Sequence, residues 1–236
     1  MRLEKIIIIL VEPESPGNIG SVARAMKTTG LKNMRLVNPC VLESAEMRMM
    51  AHRSRELVDE ARHYSSLQEA LKDITISIGT TMRKRSIPFP KYTPEEIASK
   101  IKFFADDTNV ALVFGREKNG LYNDELNICQ LHSTIPIATQ NPALNLAQAV
   151  MIYSYVLSRS LNKQETKPTY EPASSQAIEA VYTHLEEALN ATKFKPRDNM
   201  KTFISRFRRL LGRTVPEFRD IQMLHKIIQI LAREKE

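Results

Sequence analysis

Residues 6–30 read IIIILVEPESPGNIGSVARAMKTTG, and the change of pattern inside this stretch decides the fold class. The opening run IIIILVE (6–12) is continuously apolar up to its last residue, which predicts a strand buried on both faces, as in the middle of a parallel sheet. Pro16 and Gly17 then suit a turn, and Asn18 is a good helix N-cap. After it Ile19, Val22, Ala23 and Met26 recur at the i, i+3, i+4, i+7 spacing of one buried helical stripe. The turn falls at the carboxyl end of the strand, where α/β proteins place ligands and where the free amides of a helix start favour anions. Arg24 lies off the stripe. A solvated surface arginine and an arginine facing a ligand both satisfy that position.

The same alternation continues along the chain. Further strand signals fall at 34–37, 74–79, 109–115 and 133–137. Helical patterns occupy 19–29, 44–51, 55–72 with a break, 94–105, 121–127 and 144–161. This predicts an α/β domain over residues 1–161 with a mostly parallel sheet and helices on both faces. In the helix over 144–161 the apolar residues Leu146, Val150, Met151, Tyr153, Ser154 and Leu157 cover more than one narrow stripe, which suits contact on two sides. Residues 162–175, NKQETKPTYEPASS, are polar, carry two prolines and lack periodicity, so they read as a linker.

From 176 to 236 only helical patterns remain, forming a small all-helical appendage. After a helix over 176–191, a second has Asp198 as N-cap, Met200, Phe203, Ile204, Phe207, Leu210 and Leu211 as its stripe, and Gly212 as its stop. A capping box of Thr214 and Glu217 around Pro216 then launches the last helix through Phe218, Ile221, Leu224, Ile228 and Leu231.

With 236 residues, 42% of them hydrophobic, the chain is long enough for one full core plus the appendage. Cys40 and Cys129 sit in unrelated segments without metal-ligand spacing, so they read as reduced thiols, with no disulfide and no metal site implied. Nothing approaches the roughly 20 apolar residues of a membrane span, which points to a soluble cytoplasmic protein without a membrane partner. The formal net charge is +7, and the stretch from Lys193 to Arg213 accounts for all of it: Lys193, Lys195, Arg197, Lys201, Arg206, Arg208, Arg209 and Arg213 stand against Asp198 alone. Such a concentration suits a polyanion-binding face, although a solvated helix face fits the composition equally. Arg83, Lys84 and Arg85 form a second, smaller group beside a Pro-rich loop. Two separated basic patches suit an extended partner better than a small molecule.

Three more stretches end strands as PGNIG does: GTTMRKRSIP (79–88), FGREKNGL (114–121) and IPIATQNPALNLAQAV (135–150), where Asn145 can cap the helix beginning at Leu146. Taken in order with PGNIGSVARAMKTTG, the last two resemble the signature motifs of the SPOUT RNA 2′-O-ribose methyltransferases, with a fit over residues 1–161. The linker and helical tail are similar to those of the family's bacterial tRNA (cytidine/uridine-2′-O) branch, which modifies nucleotide 32 of the anticodon loop. The resemblance implies a C-terminal trefoil knot, S-adenosylmethionine as methyl donor with no metal, tRNA as substrate, and a homodimer with the site at its interface.

The resemblance also implies roles for individual residues. Asn18, Arg24, Glu117 and Asn145 fall on catalytic positions. Thr80, Thr81 and Met82 fall on the first methyl-donor loop, Gly115 and Gly120 on the second, and Ile135, Pro142, Ala143 and Leu144 on the third. The family often carries Ser where this chain has Ala143, so that hydroxyl has no role here. Arg83, Lys84, Arg85 and the tail cations are the expected RNA-binding set. A non-catalytic RNA-binding module and a ribosomal-RNA methyltransferase of the same fold are the alternatives.

Overall fold

A computed structural model of the chain describes residues 2–83, 90–104, 106–138, 144–161, 171–192 and 194–233. In chain order the elements begin with β1 (Ile6–Val11), α1 (Pro16–Thr29), β2 (Asn33–Val37), α2 (Ala45–Ala51), α3 (Arg55–Asp59), β3 (Arg62–Tyr64), α4 (Leu67–Ala70) and β4 (Ile76–Thr80). They continue with β5 (Lys91–Tyr92), α5 (Pro94–Ile101), β6 (Val110–Phe114), α6 (Asn123–Asn127), β7 (Leu131–Ser133) and α7 (Leu146–Leu161). The tail follows with α8 (Ser175–Ala191), α9 (Met200–Leu211) and α10 (Phe218–Arg233).

Among the described residues, seven strands form one sheet in the order β3-β2-β1-β6-β4-β7-β5, every pairing parallel. All six residues of β1 are buried. Ile6, Ile8 and Leu10 join the α1 stripe and Val150, Tyr153 and Leu157 of α7 in one core. Ile7, Ile9 and Val11 face the other way, toward Leu67, Leu71, Ile74, Leu121 and Leu126. Burial of such side chains contributes on the order of 2 kcal/mol each before the entropy of ordering is subtracted. The continuous apolar run is therefore a central strand covered by two helical layers.

Several boundaries differ from the sequence pattern. The helical reading of 55–72 splits into α3, β3 and α4, because β3 is a three-residue edge strand too short and too exposed to show an apolar run. The edge strand β5 escapes the pattern for the same reason. The strand expected at 133–137 ends at Ser133. Helix α1 starts at Pro16 with Ser15, not Asn18, as its N-cap, and Asn199 rather than Asp198 caps α9. The Thr214–Glu217 capping box does not form: the Glu217 amide is capped by Asp220 Oδ2 at 2.8 Å, and the Thr214 hydroxyl donates to Leu211 O. Leu210, Phe218 and Leu231, expected on buried stripes, are exposed.

The tail has its own core of Ile178, Val181, Tyr182, Ile204, Ile221 and Ile228. Residues 162–170 of the expected linker lie outside the described residues. Its last residues are already packed, with Ala173 1% exposed and Ser175 opening α8.

Strand order positions the site. From β1 the chain moves to β2 on one side, whereas from β6 it moves past β4 to β7 on the other, and β1 and β6 are neighbours. Their carboxyl ends therefore flank a topological switch point, the crevice where open α/β sheets bind ligands.

Candidate active site at the switch point

The loop after β1 and the loop after β6 are joined by Glu117. Its carboxylate accepts the backbone amides of Glu14 at 2.8 Å and Ser15 at 3.1 Å, and the Asn18 side-chain amide at 2.8 Å. The earlier start of α1 explains how Asn18 can take part. Ser15 accepts the Asn18 backbone amide and Pro16 fills the first helical turn, so the Asn18 side chain has no capping duty. Its Oδ1 instead accepts from Asn145 Nδ2 at 2.8 Å. Asn145 keeps the capping role read from the sequence: its Oδ1 accepts the Ala147 amide at 2.8 Å, and its own amide donates to Gln148 Oε1. One hydrogen-bonded chain, Glu117–Asn18–Asn145, thus connects three segments far apart in sequence.

Beside it lies a cleft of about 290 Å³. Thr80, Thr81, Met82 and Arg83 line it from the end of β4, the 115–120 loop from the end of β6, and Thr134, Ile135 and Leu144 from the segments between β7 and α7. Phe114 and Tyr153 meet edge to face with ring centroids 5.6 Å apart along its wall. Gly115 is required by packing: an added Cβ would stand 2.1 Å from the Gly120 carbonyl carbon, and Gly120 turns the loop back with φ +63°. Seven of the expected methyl-donor residues, Thr80, Thr81, Met82, Gly115, Gly120, Ile135 and Leu144, line this one cleft. Pro142 and Ala143 lie outside the described residues.

Arg24 stands apart from the other three. It is exposed on α1, six residues beyond Asn18, or about 9 Å along a helix axis. Unlike Asn18, Glu117 and Asn145 it has no part in the hydrogen-bonded chain described above.

Arg116 is a site residue that sequence reasoning passed over. It is 7% exposed at the end of β6, with its guanidinium 2.7 Å from Glu12 and 3.0 Å from Glu125, and it lies over the Tyr122 ring at 4.1 Å. Burial opposes its charge, and the hydrogen bonds to Glu125 and Glu12 outweigh that opposition and hold it charged above its ordinary range. Its signal was the arginine closing a buried strand between two acidic segments. The pairing itself spans residues 12 to 125 and is invisible locally.

The expected RNA-binding cations separate into groups. Arg83 Nη2 donates to Lys118 O at 2.8 Å, tying the β4 end to the loop across the cleft. Lys195, Arg197, Lys201 and Arg213 are exposed, and Arg209 is half-buried. Arg206 pairs with Asp198 at 2.5 Å. Arg208 is turned inward: it pairs with Glu179, lies 4.1 Å over the Tyr182 ring and donates to Asn127 O at 3.2 Å. Lys84, Arg85 and Lys193 lie outside the described residues. Among the described residues, no group of three or more His, Cys, Asp or Glu side chains could hold a metal ion, and no helix is long and apolar enough to cross a membrane.

Known proteins resemble this chain over most of its length. Residues 5–155 match the model of the SpoU rRNA methylase family, and residues 176–236 match that of the tRNA methyltransferase TrmJ C-terminal domain. The tRNA (cytidine/uridine-2′-O-)-methyltransferase TrmJ of Sodalis glossinidius is 37% identical, the match covering 96% of this chain and 91% of that protein. The crystal structure of TrmJ from Z. mobilis superposes with a TM-score of 0.78 at 31% identity, over 96% of this chain and 99% of the other. A structure described as giving insights into the 2-OH methylation of C/U34 on tRNA has a TM-score of 0.55 at 25% identity, over 69% of this chain and all of that one.

Proposed function

The chain belongs to the SpoU methylase family, and on that footing we propose that it transfers a methyl group from S-adenosylmethionine to a ribose 2′-hydroxyl of tRNA, at a cytidine or uridine in position 32 of the anticodon loop. The observation that carries this reading is the Glu117–Asn18–Asn145 hydrogen-bonded chain at the rim of a cleft lined by the three methyl-donor loops. The cleft suits the methyl donor. Phe114, Ile135, Leu144 and Leu146 offer apolar walls to a purine, and the ends of β4, β6 and β7 offer backbone groups to its edge and ribose.

When bound, S-adenosylmethionine supplies a methyl group already activated by its sulfonium, so the protein has to position the hydroxyl and help with one proton. Asn18, held between Glu117 and Asn145, is fixed to orient ribose or phosphate. A guanidinium donates hydrogen bonds and accepts none, so Arg24 is assigned to the adjoining phosphate and the developing alkoxide; the hydroxyl proton passes to solvent, and breaking of the methyl–sulfur bond leaves a neutral thioether. The exposure of Arg24 on α1 is compatible with a homodimer, as the family resemblance implies, in which the site is completed at the interface. The exposed cations Lys195, Arg197 and Lys201, with Arg213, are the proposed tRNA contacts of the tail, and a tRNA substrate supports a cytoplasmic location. The family's trefoil knot is part of the same proposal.

Two observations favour neighbouring readings. The family model's own description points to ribosomal RNA, and one structural relative is described by position 34. The match of the tail to the TrmJ C-terminal domain favours tRNA over ribosomal RNA. Titration calorimetry with S-adenosylmethionine, followed by mass-spectrometric mapping of methylated tRNA and ribosomal RNA, tests all of this. The expected result is donor binding with a 2′-O-methyl group at nucleotide 32. Methylation at 34 or in ribosomal RNA would move the target, and absence of donor binding would leave a non-catalytic RNA-binding module.

A further inference from the structure

The tail is joined to the α/β body by specific contacts near α6. Ser175 donates its amide to Ile74 O at 3.3 Å and its hydroxyl to Gln130 Oε1 at 2.9 Å, the acceptor that also takes the Ser77 amide and hydroxyl. Gly212 passes so close to Gln130 that an added Cβ would stand 3.0 Å from its carbonyl oxygen. Tyr92 donates its hydroxyl to Arg213 O at 3.1 Å. At the centre of this seam is Arg208. Its guanidinium is bidentate to Glu179 of α8, stacked on Tyr182 of the same helix, and hydrogen-bonded to Asn127 O at the end of α6. With its side chain 20% exposed, hydrogen bonds to Glu179 and Asn127 O and one face on the Tyr182 ring, Arg208 is poorly placed to meet a phosphate.

Helix α6 links this seam to the site. Two residues before Asn127, Glu125 holds Arg116, which opens the loop carrying Glu117 and lining the donor cleft. The basic face of α9 is therefore carried on the same frame as the catalytic loop. We propose that Arg208 is a positioning residue: oriented by Glu179 and Tyr182 within the tail, it sets the tail against α6 through Asn127 O, so that an RNA held by the tail cations presents one nucleotide, and not its neighbours, to the site. This rests on the tRNA methyltransferase reading above. A tail tethered only by a flexible linker would hold RNA without choosing the nucleotide. The bidentate pair with Glu179 fixes the guanidinium within the tail, between α9 and α8, and so aims it at Asn127 O, 3.2 Å away on the body.

The test compares full-length wild type with Arg208→Gln, Arg208→Lys and Glu179→Gln. The measurements are thermal unfolding, tRNA affinity against salt, kcat and KM for tRNA, and the position of methylation mapped by mass spectrometry. Glu179→Gln separates the possibilities, because it frees the Arg208 guanidinium and makes the tail more positive. If Arg208 bound RNA, this variant would bind tRNA more tightly and methylate at least as fast.

For a positioning pair, all three variants should keep the wild-type salt slope and a tRNA dissociation constant within about twofold. They should lose about 10- to 100-fold in kcat, as expected for a misplaced substrate, with methyl groups spreading to nucleotides beside the target. Lysine keeps the charge without the fork and should not rescue. Wild-type kcat and site choice in Glu179→Gln, or full rescue by Arg208→Lys, would overturn the proposal, as would a smaller salt slope in Arg208→Gln. If wild type itself transferred no methyl group, the failure would lie with the enzymatic reading and not with Arg208.

Discussion

The loops after β1 and β6 and the basic tail helix α9 both carry polar residues that the sequence marks as functional, but the two regions use them differently. Around those loops, Asn18 in the first turn of α1, Glu117 after β6 and Asn145 just before α7 form one hydrogen-bonded chain, so each side chain has a defined direction before any substrate arrives. On α9 and the segment before it, residues of one type divide by neighbour: Lys195, Arg197 and Lys201 face water, Arg206 takes Asp198, and Arg208 is claimed by Glu179. The lesson is that a polar motif tied by short contacts can be recognised as a unit. A cation cluster counted by charge overstates the groups available to RNA.

The comparison can be broken most decisively at Arg24. If that exposed residue serves the reacting centre, Arg24→Ala should keep its fold and its donor affinity, since it lies off the buried α1 stripe. Single-turnover methyl transfer should nevertheless fall by about 10²- to 10³-fold. Arg24→Lys should recover little if the planar fork positions the hydroxyl. Near-normal turnover in the alanine variant would return Arg24 to an ordinary surface charge and restrict catalysis to the bonded loop residues.

Gly115→Ala tests the packing beneath those loops. The added methyl cannot fit 2.1 Å from Gly120 without moving the 116–120 turn. The expected outcome is a loss of about 1 to 3 kcal/mol in unfolding free energy with a marked loss of donor affinity in calorimetry. Unchanged donor binding would show that the cleft tolerates movement of its central loop.

In the tail, replacing Lys195, Arg197 and Lys201 together by alanine should leave donor binding intact and lower the slope of log affinity for tRNA against log salt by roughly 2 units. A constant slope would mean that these exposed cations are only a solvated face.

The smallest effect concerns two ion pairs, one in the α/β body and one in the tail. Arg35 is buried and bidentate to Asp73 at 2.5 and 2.7 Å, and holds its carboxyl below the ordinary carboxylate range. A carboxyl depressed on folding stabilises above its unfolded pKa, and that stabilisation is lost as pH falls through the folded value. Asp73→Asn should therefore be less stable than wild type near neutral pH, with the two denaturation midpoints converging in acid. Asp198→Asn, whose Arg206 partner is more than half exposed, should show almost no difference at either end.

Much of this was legible along the chain because it depends on local periodicity. The IIIILV run required burial on both faces, and the Ile19, Val22, Ala23 and Met26 stripe required a helix packed on the sheet; both are completely buried. The candidate site was legible as a set of motifs, through the family resemblance of PGNIG, FGREKNGL and IPIATQNPALNLAQAV, of which residues 139–143 lie outside the described residues. The short edge strands β3 and β5 were not, since two or three half-exposed residues carry no period.

What the sequence alone determined, then, is the layered α/β class, the helical tail and the segments that meet at the carboxyl edge of the sheet. Tertiary structure decided which side chain does what within them. Ser15 relieves Asn18 of capping, Arg116 finds Glu12 and Glu125, and Arg208 is turned from solvent by a glutamate 29 residues away. Each outcome rests on a hydrogen bond or ion pair whose partner is chosen by how the backbone places it. Periodicity reports which face of an element is buried and is silent on the partner that waits there.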